Sequence, residues 1–178
     1  FTDKYQDVCK KQNNEDIRFT KGVHHLLQHK GVVNNILESY FEEVFKNKTS
    51  EQLEHIKHIL MRVNVHIAAN SLTKAGFALA TAASVSVGMN LSLEMGAIAG
   101  RTAGVAVTVV GIYGVVQKAA ESAERLRFSY PAFFSALYAQ EIEMMYFLVE
   151  PLFERAEAFK APWASDEEIA DIIQRMIR

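Results

Sequence analysis

The sequence predicts an all-α protein, a helical bundle with a central Gly/Ala-rich hydrophobic helical hairpin. Three observations carry that expectation. Apolar residues in both flanks recur at intervals of three and four. Capping residues and prolines stand where helices would start. No run of strand residues bounded by turn signals appears in either flank. With 178 residues, 49% of them hydrophobic and 22% charged, the chain is long enough for one domain with a core and short for two. Residues 1–178 are therefore read as a single helical domain. The apolar content excludes disorder, and the lone Cys9 excludes a disulfide scaffold. A formal net charge of −2 argues against an electrostatic nucleic-acid binder, so no nucleic-acid partner is expected.

Taken in order, the elements justify themselves locally. The first twenty residues are polar and charged and do not read as a secretory signal. Opening on Phe1 instead of Met is what a piece of a longer polypeptide would show. His24 to His29 is expected on a short helix, with Gly31 as its stop. Val33, Ile36, Leu37, Tyr40, Phe41, Val44 and Phe45 form one amphipathic face, ended by Asn47-Lys48. Thr49-Ser50-Glu51-Gln52 matches a capping box and opens a helix carrying Leu53, Ile56, Leu60, Val63 and Ile67. Pro131 and Pro151 fit the first turns of further helices. Ser165-Asp166-Glu167-Glu168 is a second capping box, opening a helix through Met176 and Ile177.

Charge divides the chain into a His-containing shell (1–74), a hydrophobic hairpin (75–117) and an acidic shell (118–178). Residues 1–74 hold eleven basic against nine acidic groups, plus all six histidines. Residues 118–178 hold seven basic against eleven acidic groups. Between them stand only two charges, Glu94 and Arg101, and seven of the nine glycines. Ala75 to Leu93 is uncharged, as is Thr102 to Gln117. Ser84 to Leu93 alternates like a strand pair, and Val105 to Val116 is rich in β-branched residues. Helix is favoured for both because Ala and Met are frequent and the second run continues into the strong helix former 117–126.

Small residues occupy every fourth position from Gly76 to Thr108, including Gly88. The sharpest part is Gly96-x-x-x-Gly100-x-x-x-Gly104, followed by Gly111. Glycines four apart give a helix a groove that another backbone can approach, in lipid or in a tightly crossed core. Glycine costs a water-exposed helix about 1 kcal/mol relative to Ala, so this density needs a packing or insertion reason. Glu94 and Arg101 suit a hairpin turn or a wet interior better than lipid contact.

A charged helical shell around such a hairpin resembles the pore-forming domains of colicin-type bacterial toxins. Gly100-Arg101-Thr102-Ala103-Gly104, leading to Tyr113-Gly114-Val115-Val116-Gln117-Lys118-Ala119-Ala120, is similar to helical regions of polymorphic, contact-delivered bacterial toxins. The likeness covers about 75–127 and is architectural, and about sixty residues follow the hairpin where colicin-type domains end close to it. It implies insertion into a bacterial inner membrane, with loss of membrane potential or help in toxin entry.

Candidate chemistry is sparse. His25 and His29, and His55 and His58, can each share a helix face, and Glu51 precedes His55 by one turn, as metal or pH-sensing groups would. No H-E-x-x-H occurs, and solvated or core histidines are the plainer expectation. Protonating all six would take the formal charge from −2 to +4, and that of 1–74 from +2 to +8, which favours anionic lipid. Glu143, Glu150, Glu154 and Glu157 read as a solvated row more readily than as acid/base pairs. Phe128, Tyr130, Phe133, Phe134, Tyr138, Tyr146, Phe147 and Phe153 are expected to be core covering the hairpin. No phosphate-binding, nucleophile-elbow or CxxC motif appears, so no enzyme and no cofactor is expected. The function expected is a membrane-active bacterial toxin or effector domain, delivered to a target cell, with a lipid membrane and an immunity or carrier protein as partners. The alternative is an all-α protein–protein interaction module in which 75–117 is permanent core.

Overall fold

Helix starts form where the caps put them. The Thr49 hydroxyl accepts the Gln52 backbone N–H at 3.2 Å, while the Gln52 side chain accepts the Thr49 N–H at 2.9 Å. Ser165 and Glu168 repeat the exchange at 3.2 and 2.7 Å. Pro131 and Pro151 occupy first turns, where a missing N–H costs nothing. The computed structural model describes residues 2–28, 31–68, 73–88 and 109–177, with side chains described outside 2–5, 25–28 and 109–113.

Among the described residues there are eight α-helices and no strand. They are α1 (Thr2–Gln28), α2 (Val32–Phe45), α3 (Ser50–Arg62), α4 (Lys74–Gly88), α5 (Val109–Ser129), α6 (Pro131–Ala139), α7 (Glu150–Ala156) and α8 (Asp166–Ile177). Two 3-10 helices, Glu143–Leu148 and Ala158–Trp163, flank α7. The chain is thus an all-α bundle. The alternation at 84–88 is helical, and the β-branched run from Val109 continues into α5 as one helix.

Two elements differ from expectation: α3 ends at Arg62, before Val63 and Ile67, where Asn64 turns the chain at φ 61°, and α1 is longer than the sequence suggests. Instead of a short helix at 24–29, α1 runs for 27 residues. Its residues 6–14 are all exposed, so no buried stripe announces them in the sequence. Only its second half docks. There Gly22 faces Met145, whose side chain would lie 3.0 Å from a Cβ at that position. Arg18 pairs with Glu143, lies 3.7 Å over the Tyr138 ring and donates to the Tyr138 carbonyl at 3.2 Å.

The core is centred on Tyr40 of α2, which is fully buried. Its hydroxyl donates to the Ala158 carbonyl at 2.7 Å, so burial leaves no orphan donor. The rings of Phe41, Phe133 and Phe153 meet it edge-on at 5.0, 5.7 and 4.8 Å. Of the expected aromatic cover, Phe133, Tyr146 and Phe153 are core, whereas Phe128 and Tyr138 face outward. α6 and the first 3-10 helix pack on α2 and α5, so these rings build the aromatic core beside α2 and do not form a lid over α4. α4 packs mainly against α2 and α8, with a smaller contact to α3.

Candidate functional site

α4 opens the uncharged stretch, and its construction departs from that of an ordinary surface helix. Phe77, Ala78, Thr81, Ala82 and Val85 form its buried face. Phe77 meets Phe45 of α2 at 5.0 Å. The opposite side should carry charge. Instead Ala75, Leu79, Ala83 and Val87 stand exposed at every fourth position, Leu79 at 48% and Val87 at 88%.

Two hydroxyls of α4 bond back along the helix. Thr81 donates to the Phe77 carbonyl at 2.7 Å, and Ser84 donates to the Ala80 carbonyl at 3.0 Å. Hydroxyls bonded four residues back leave a helix with little outward polarity. Lys74, its one charge, is held at the base, where its ammonium donates to the Lys46 carbonyl at 2.6 Å, just past the end of α2.

Two of the singled-out glycines have described surroundings. Gly76 lies in the first turn of α4, and its N–H is accepted by the Thr73 hydroxyl at 3.1 Å. Gly88 ends α4 against the end of α8. A Cβ there would meet Ile177 Cγ2 at 2.8 Å, its carbonyl oxygen at 3.0 Å and its Cα at 3.2 Å. The element that approaches Gly88 is α8, from outside the 75–117 stretch. Gly111 lies on α5, with no side-chain surroundings described. Gly96, Gly100, Gly104, Glu94 and Arg101 lie outside the described residues, as does His29.

Among the described residues the histidines form no metal-holding group. His25 is on α1, and His55 and His58 are exposed on α3. His55 faces α8, with Nδ1 3.4 Å from Asp166 and Nε2 3.7 Å from Glu167. Lys48 also reaches Asp166, at 2.9 Å. Partial burial of Asp166 opposes its charge, but hydrogen bonds from Lys48 and His55 outweigh that and hold its carboxyl below the usual range. Among the described residues no group of three His, Cys, Asp or Glu is placed to hold a metal.

The carboxylate row is not one solvated face. Glu143 and Glu150 are buried, each paired with an arginine from another helix. Arg125 grips Glu150 with two hydrogen bonds of 2.8 Å. That bidentate contact, against the opposing effect of burial, lowers the affinity of Glu150 for a proton. Glu157, in the left-handed conformation at φ 55°, turns the chain between α7 and the second 3-10 helix, and it pairs with Lys160 and Arg175. Arg18, Lys48, Arg125 and Ile177, whose tertiary contacts the sequence does not indicate, are ordinary in type. Apart from Arg125, their partners lie 89 to 125 positions away, or 25 for Arg125.

Among the described residues no helix is long and apolar enough to cross a membrane. Comparison with protein-family models, curated proteins and solved structures finds no match to this chain.

Proposed function

We propose that this chain is a membrane-active domain in which the uncharged stretch 75–117 enters a lipid bilayer. On the resemblance to colicin-type domains, the target is a bacterial membrane reached by secretion or contact delivery. The observation that carries the reading is the α4 surface: a solvent-facing helix side made of Ala75, Leu79, Ala83 and Val87, without a charged side chain. Water gains nothing from such a face and lipid does.

The fifteen residues of α4 alone are too short to span. Drawn out as one helix, 75–93 would measure about 28 Å, close to the ~30 Å of a bilayer core. In this mechanism the bundle shields the inner face of α4. Docking then frees it, Gly96, Gly100 and Gly104 pack helices together in lipid, and Glu94 and Arg101 occupy the turn or a wet interior.

The test is dye release and loss of membrane potential in anionic liposomes at pH 5 and 7.5. Leakage that disappears in Gly100→Leu supports insertion through the glycine face, and stronger leakage at pH 5 adds an acid-assisted step. The interaction-module reading is favoured by Phe77, Ala78, Ala82 and Val85, all fully buried, which tie α4 into the core. Absence of binding and leakage at both pH values would establish it over insertion, with an immunity or carrier protein as the partner to seek.

A further inference from the structure

We propose that α8 is a strap across α4, fastened at both ends and the first element to lift when α4 leaves the bundle. Its role as a release step rests on the membrane-active reading, whereas the strap itself does not. The apolar side of α8 is Ile169, Ala170, Ile172, Ile173 and Met176, without an aromatic ring. At its start Asp166 is held by Lys48 at 2.9 Å and approached by His55 at 3.4 Å, from the α2–α3 turn and from α3. At its end the backbone of Ile177 closes on Gly88, where even a methyl group would stand 3.0 Å from a carbonyl oxygen. Arg175 adds a tie to Glu157 at 2.9 Å.

The two ends of α8 are held by exposed or part-buried ion pairs and one backbone approach, which open before its apolar face, buried in the core between α3, α4 and α7, does. The other main neighbour of α4 is α2, which carries Tyr40 and cannot move without dismantling the aromatic core.

Amide hydrogen exchange on Gly88→Ala tests the strap. Alanine favours helix, so it strengthens α4 locally while forcing Ile177 away. Exchange in the last turns of α8 should rise about tenfold, with α2 and α6 unchanged. Asp166→Asn leaves Gly88 intact and should raise exchange about threefold in the first turn of α8. Retained α8 protection in Gly88→Ala, or an equal rise in every helix, overturns the strap. Exchange of the unaltered protein on phosphatidylglycerol-containing vesicles separates the two proposals. Binding with α8 still protected overturns the strap and leaves insertion standing. No vesicle binding, with α8 loosened by Gly88→Ala in water, overturns insertion and leaves the strap.

Discussion

Around Tyr40, rings from α2, α6 and α7 interlock at 4.8 to 5.7 Å, and the Tyr40 hydroxyl is hydrogen-bonded. Around α4, apart from Phe77, the contacts are made by Ala78, Thr81, Ala82, Val85 and Gly88, and the far side of the helix is exposed. Interlocked rings leave no low-energy way to separate their helices, because parting them opens a cavity. Small, smooth surfaces can part with less loss, and under the proposed insertion the bare side would meet lipid. On the proposed insertion, the interlocked half stays and the α4 half is lifted.

The largest expected effect is in the ring cluster. Phe153→Ala removes a fully buried ring that stacks on Phe133 at 5.8 Å and meets Tyr40 and Tyr146 edge-on. Denaturant unfolding should show a loss of about 3–5 kcal/mol. A loss below about 1 kcal/mol would mean that the cluster is not the fixed half.

Next comes the Arg125–Glu150 pair behind those rings. Glu150→Gln should cost about 1–3 kcal/mol at neutral pH. Because the folded protein holds the Glu150 carboxyl below its unfolded value, the stabilisation is complete above the unfolded value of about 4.3 and is lost as pH falls through the lower, folded one. Unfolding curves from pH 7 downward should therefore lose part of their acid slope in the variant. An unchanged slope would remove this pair from the account.

The smallest effect on folding belongs to the bare face, where Leu79→Gln and Val87→Gln should each shift stability by no more than about 0.5 kcal/mol. The same changes should weaken vesicle binding if α4 meets lipid, which sharpens the contrast between the halves. Cooperative loss of stability instead would show that this face is covered.

Legibility in the sequence follows the range of the interaction. Both capping boxes, both prolines at helix starts and the apolar face of α2 are fixed by residues within four positions of one another, and each forms as expected. α1 was only partly legible because residues 6–14 are helical without a buried face. The glutamate row misled because helical spacing was carried across segments that the chain breaks at a 3-10 helix and at Glu157. Histidines three or four apart looked like pairs, yet the neighbours of His55 come from α8.

By itself, the sequence determined where helices begin, which faces are apolar and that residues 75–117 carry almost no charge, because capping, periodicity and composition act over a few neighbouring residues. Only the tertiary structure decided that Glu143 and Glu150 are buried against arginines, that Asp166 is shared by Lys48 and His55, and that Gly88 receives the backbone of Ile177. Those pairings depend on which distant helices come to face one another, and local periodicity does not encode that.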